Sequence, residues 1–222
     1  MTSKPTILQR TQFDEERARR ILLYIYPQKY ADAVLADAPD IVCPSAKIGV
    51  EVTSGLREDI QQNLARAASI TGKTTNELTK NDKANIEKKR IIHFQTSKGL
   101  HVAGTWATWG STFSHEKILM RKTINLNKPH YRLFDQNELF VFAWLIDSDE
   151  LQEALDYIAG RQWLDASMSR SFNTIYIFDG KVLAEVNVSN MQVNRHPIPN
   201  EIMKQISNGA YEAVIVKEGV KK

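Results

Sequence analysis

The sequence predicts an α/β fold in which a central mixed sheet is flanked by helices, and three observations predict it. Segments 13–26, 56–70 and 114–127 carry apolar residues at helical spacing. Between and after them, 48–53, 138–146 and 173–188 carry the alternating or continuous apolar runs of strands. With 42% apolar residues among 222, the chain can bury a core of single-domain size.

The first helix, FDEERARRILLYIY, sets Ala18, Ile21, Leu22 and Ile25 in one stripe. Projected back one turn, that stripe brings Asp14 and Glu15 to the inward face, with Glu16 at its flank. Acids in a first turn also suit the helix dipole, so capping is an alternative for all three. Two short strands, 40–43 and 48–53, follow around the turn Pro44-Ser45-Ala46-Lys47. Alternation puts Ile48, Val50 and Val52 on one face of the second strand, and Gly49, Glu51 and Thr53 on the other.

A helix over 56–70 presents Leu56, Ile60, Leu64 and Ala67. The polar stretch after it reads as a loop with a short helix, then a strand at 90–96 and a Gly/Trp-rich strand-and-loop region from 99. Segment 114–127 is a helix containing Ile118, Leu119 and Lys122. ELFVFAWLI, 138–146, is the most apolar run and reads as a central strand. A helix at 150–159, a hairpin at 173–188 turning on Asp179-Gly180, and a last helix at 200–213 complete the chain.

The single cysteine, Cys43, rules out an internal disulfide and suits a reducing compartment. Its apolar strand setting predicts a buried thiol. The opening MTSKPTILQRTQFDEE is too polar for a signal peptide, and no apolar run nears the ~20 residues that cross a bilayer. The expectation is a soluble, cytoplasmic protein with no membrane partner. The five histidines show no zinc-ligand spacing, and GKT at 72–74 lacks the first glycine of a phosphate loop.

Charge is segregated. Residues 71–98 hold seven Lys/Arg against three acids, a net +4, and 115–132 hold five against one, again +4; 135–165 hold one against eight, a net −7. Basic segments that converge in space attract a polyanion, while solvated helix faces explain the same pattern without one. Trp106 and Trp109 offer rings for base stacking or for ordinary packing.

Three carboxylates therefore share a setting: a helical Glu, Asp40 at a strand start and Glu51 on the next strand. Oxygen ligands of this kind suit a hard divalent cation. The pattern Pro39-Asp40, ten residues, Glu51-Val52-Thr53, after a helix bearing an acid, resembles the PD-(D/E)XK nuclease superfamily. The resemblance covers 14–53 best and 114–188 loosely. It implies a restriction-endonuclease-like α-β-β-β-α-β core and Mg²⁺-dependent (or Mn²⁺-dependent) cleavage of DNA. Residues 1–222 would form one nuclease-like domain, with 54–113 as an insertion and 189–222 as a C-terminal appendage. Asp40 and Glu51 would ligate the metal, and Glu15 or Glu16 would be the auxiliary acid. Lys88, Lys89, Arg90, Lys117 and Arg121 would contact the DNA backbone, and a homodimer is open by analogy.

One departure matters. The lysine expected two residues after the motif Glu is Thr53 here, and a hydroxyl holds water without supplying positive charge. In some relatives that lysine migrates to the next core helix, which makes Lys122 the candidate substitute. Lys47, four residues from Glu51, lies roughly 13 Å away at strand rise. The alternative to an active nuclease is the same fold without activity, binding nucleic acid or protein.

Overall fold

The computed structural model describes residues 7–56, 58–87, 91–104, 114–144, 146–161, 163–164 and 168–216. In chain order the elements are α1 (Ile7–Ile25), β1 (Val34–Leu35), β2 (Ile41–Cys43), β3 (Ile48–Ser54), α2 (Glu58–Ile70) and α3 (Lys80–Glu87). Then come β4 (Ile92–Gln95), β5 (His101–Gly104), α4 (His115–Leu126), β6 (Gln136–Phe142) and α5 (Ser148–Ala159). The chain closes with β7 (Thr174–Phe178), β8 (Val182–Asn187), β9 (Gln192–Pro197) and α6 (Asn200–Tyr211). These elements form two compact units, Leu56–Ser114 and the remainder.

The larger unit is an α/β layer built on a mixed seven-stranded sheet ordered β1-β2-β3-β6-β7-β8-β9. β3, β6 and β7 run parallel in its centre, and antiparallel strands border them on both sides. The central strands are buried on both faces, which is why LFVF and TIYIF read as continuous apolar runs. On one face, Val50, Val52, Phe140, Phe142 and Phe178 pack with Ala18, Ile21 and Leu22 of α1 and with Met203 and Ile206 of α6. By alternation, Leu139, Val141, Ile175 and Ile177 occupy the other face, that of α4 and α5. Both helices bury one side: Ile118, Leu119 and Leu126 in α4, Leu151, Leu155 and Ile158 in α5.

The β7–β8 hairpin turns where the Asp-Gly signal stands. Gly180 takes a positive φ of 108°, and Asp179 Oδ1 accepts the backbone N–H groups of Lys181 and Val182 at 2.7 Å.

Within the segment 189–222, read from the sequence as an appendage, the described residues 189–216 join the larger unit. β9 pairs with β8 along its whole length, and Ile198, Met203 and Ile206 belong to the main core. QVNRHP carries little apolar signal because β9 is an edge strand whose residues stay largely exposed. The predicted strand 138–146 is also shifted: β6 begins at Gln136 and ends at Phe142, and Trp144 beyond it stacks on Phe142 at 5.4 Å.

One polar cluster lies within the first face. Glu138 of β6 is fully buried; Lys29 Nζ donates to it at 2.8 Å and the Tyr30 hydroxyl donates to its other oxygen. Tyr176 bonds Tyr30 at 2.9 Å and accepts from Lys29 at 3.1 Å. Burial raises the Glu138 carboxyl above the ordinary range, opposed by Lys29.

The smaller unit has its own core of Ala67, Ile70, Leu78 and Ile91, with Ile86 and Ala103 against it. Asp82 ties its polar parts together, accepting from Lys73 at 2.7 Å, Ser69 at 2.8 Å and the Thr79 N–H at 3.0 Å. Burial alone would raise this carboxyl; those donors outweigh it and hold it well below the usual range.

Candidate functional site

Asp40 enters β2 directly before Ile41, which lies opposite Val50 of β3. That register sets Asp40 beside residues 51 and 52, and its Oδ2 accepts the Val52 N–H at 2.7 Å. Glu51 points from β3 to the face opposite Val50 and Val52, and is 8% exposed. Both its carboxylate oxygens are engaged. Lys122 Nζ of α4 donates to Oε2 at 2.7 Å and the Tyr131 hydroxyl donates to Oε1 at 2.7 Å. Lys122 also reaches the Val52 carbonyl at 3.3 Å.

Local sequence explains why these groups meet. Ile118, one turn before Lys122, is buried, so the lysine stem crosses apolar ground before its ammonium reaches Glu51. Gly49 shares the Glu51 face of β3. A β-carbon there would stand 2.6 Å from the Phe134 ring and 2.7 Å from Pro39, so only glycine admits this close approach. The segment that delivers Tyr131 is thereby seated against the hairpin that delivers Asp40 and Glu51.

Glu15 is the helical acid that faces this group. Glu16 is held by Arg19 and Arg20, each at 2.7 Å, whereas Glu15 lines a cleft of about 390 Å³ with Gln12, Leu35, Ala36, Asp37 and Asp40. Burial and the Glu51 charge push the Asp40 carboxyl up to about 6, against the Val52 N–H and Lys122, which lower it. Burial, then Asp40, pushes Glu15 up to about 7; Asp14 and Asp37 add to this and Lys122 opposes it.

These carboxylates thus strain against one another in a partly desolvated setting, with the Lys122 ammonium as a counter-charge. The Asp40 and Glu51 carboxylates are oxygen donors of the kind a hard divalent cation takes. Among the described residues no three His, Cys, Asp or Glu form a ready metal-binding group. A cation on Asp40 and Glu51 would keep most of its shell as water, as Mg²⁺ does.

Of the other residues singled out from the sequence, Thr53 shares the Glu51 face and is half-buried opposite Val141. Lys117 and Arg121 are exposed on α4. Lys88, Lys89, Arg90, Trp106 and Trp109 lie outside the described residues. Lys47 sits in the β2–β3 turn, 3.2 Å from Asp135, with both side chains about 70% exposed. Cys43 is buried, and burial followed by the nearby Asp32 pushes its thiol up to about 12, which suppresses thiolate chemistry. Tyr131 was not foreseen, because nothing in its spacing marks it; its role appears only once the chain after α4 folds back over β3.

Comparisons with protein-family models, curated proteins and solved structures return no match for this chain. Among the described residues no helix is long and apolar enough to cross a membrane.

A pH-dependent stability follows from the two raised carboxyls. Their folded values, about 6 and about 7, exceed the ordinary 3.8 and 4.5. Their stabilising contribution is therefore full below about pH 4 and is lost as pH rises through 6 to 7. In chelator at pH 8, Asp40→Asn is expected to raise the melting temperature by roughly 3–11 °C, the scale of one to two units of relieved shift. The amide oxygen can still accept the Val52 N–H, and the gain disappears by pH 4. A variant that melts below wild type at pH 8 contradicts the repulsion.

Proposed function

We propose that this chain is a metal-dependent nuclease cleaving DNA phosphodiester bonds, on a restriction-endonuclease-like core. The observation that carries the reading is the Lys122 ammonium on Glu51, beside Asp40, in a chain whose motif lysine is replaced by Thr53. The fold supports it: α1, the antiparallel run β1-β2-β3, then α4 and β6 parallel to β3 give the order α-β-β-β-α-β outside the Leu56–Ser114 unit.

Asp40 and Glu51 would hold Mg²⁺ or Mn²⁺, which when bound supplies a Lewis acid and lowers the pKa of a coordinated water. Lys122 offsets the negative charge that builds on the phosphate oxygens in the transition state. The Thr53 hydroxyl orients water on the same face of β3. Glu15, which lines the cleft with Asp40, is the auxiliary acid of the first helix. Lys117 and Arg121, exposed on α4, contact phosphates without reading sequence.

A second reading, an inactive binding module of this fold, draws on Thr53 and on a Glu51 already satisfied by Lys122 and Tyr131. Plasmid, linear duplex and single-stranded DNA incubated with Mg²⁺ or Mn²⁺ separate the two. Metal-dependent cutting supports the nuclease, and binding without cutting supports the module. DNA binding, where present, should fall steeply across a salt series, because phosphate contacts release counterions. A flat series removes the polyanion partner.

A further inference from the structure

Glu51 has two oxygens and two partners of different kinds. Lys122, on Oε2, is a cation; Tyr131, on Oε1, is a neutral donor, and both bonds are 2.7 Å. The Glu51–Lys122 pair is largely buried, with side chains 11% and 15% exposed. The Lys122 charge acts on Asp40 and on Glu15 as well. An ammonium and a divalent cation on the same buried carboxylate repel strongly at such range. A hydroxyl donor does not share that conflict, and it holds the carboxylate in place.

We propose that the Lys122–Glu51 ion pair is a latch: Lys122 occupies Glu51 as the resident counter-ion, and it leaves Oε2 when a divalent cation takes the Asp40–Glu51 pair, while Tyr131 stays as the fixed post that orients Glu51. The proposal rests on the metal-site reading above. Its consequence is regulatory. The amine becomes free to face substrate phosphate only in the metal-loaded protein, so Lys122 and the cation enter service together. Because the cation meets a competent Glu51 only in the fraction of molecules with the pair open, the closed pair lowers apparent metal affinity by that fraction.

The two partners should then respond with opposite sign, without DNA or turnover in the assay. In Mn²⁺ calorimetry, Lys122→Met is expected to bind about tenfold tighter than wild type, and Tyr131→Phe several-fold weaker, within the range of ordinary coupling between sites. In wild type, the Lys122 ammonium resonance, assigned by its loss in Lys122→Met, should be protected in chelator and should shift or broaden as Mg²⁺ is added. Unchanged affinity in Lys122→Met, equal tightening in both variants, or a Lys122 signal unmoved at saturating Mg²⁺ overturns the latch while leaving the metal site standing. No Mn²⁺ binding by wild type or by Lys122→Met, with none for Asp40→Asn to lose, overturns the metal-site reading and the latch with it.

Discussion

Lys122→Ala is expected to lower DNA cleavage by about 10²-fold or more, the scale of removing one electrostatic stabiliser from a buried site. Thr53 cannot replace the lost charge. Lys117 and Arg121 are exposed on the same helix, where solvent screens them. The protein should remain folded, since Tyr131 still donates to Glu51 Oε1 and the apolar face of α4 is untouched. Lys122→Arg should recover only part of the rate. Its planar guanidinium does not reproduce the compact ammonium that faces the phosphate oxygens. Single-turnover cleavage rates with saturating Mg²⁺ read the effect, and an unimpaired Lys122→Ala rejects the assignment.

Glu138→Ala is expected to be among the most destabilising single changes in the larger unit, at roughly 3–5 kcal/mol, the cost of breaking a buried pair from one side. Glu138 is fully buried, and its removal strands the Lys29 ammonium among the rings of Tyr26, Tyr30 and Tyr176. Lys29 is 29% exposed, so part of its charge can turn to water, which favours the lower half of that range. The two tyrosine hydroxyls keep each other. Melting should fall by roughly 6–20 °C for a chain of this length. Removing both charges, as Lys29→Met with Glu138→Leu, should cost less than Glu138→Ala alone. Glu138 lies opposite Val50, whereas Glu51 lies opposite Leu139, so the two acids occupy opposite faces of the sheet. Cleavage well below the melting temperature should therefore survive Glu138→Ala. A melting shift under about 1 °C contradicts this account of the cluster.

Long periodic segments were legible in the sequence because burial dictates them. The apolar stripe of α1, the alternation of β3 and the continuous runs of β6 and β7 all report which face meets the core. The face of Glu51 was legible for the same reason, since alternation puts it opposite Val50, whereas Asp40 was singled out by its place before a strand and by the resemblance. Lys122 came from the resemblance, which places a substitute lysine on this helix, and its spacing after Ile118 agreed with a stem crossing apolar ground. What escaped were features fixed by partners distant in sequence. β1, two residues long, and β9, an exposed edge, exist because a neighbouring strand offers hydrogen bonds, and neither needs an apolar pattern. Glu138 read as part of an apolar run, and its satisfaction depends on Lys29 and Tyr30 more than a hundred positions earlier. Tyr131 depends on the close approach over Gly49. The choice between Glu15 and Glu16 needed Arg19 and Arg20 in place to show which acid is already neutralised.

The account stands on two carboxylates acting as one site, and cleavage of supercoiled plasmid by wild type and Glu51→Ala, each with Mg²⁺ and with chelator, tests it most directly. Nicking or linearisation is expected only for wild type with Mg²⁺, with Glu51→Ala folded by circular dichroism and inert in both conditions. Equal cutting by Glu51→Ala, or cutting by wild type that persists in chelator, would contradict it.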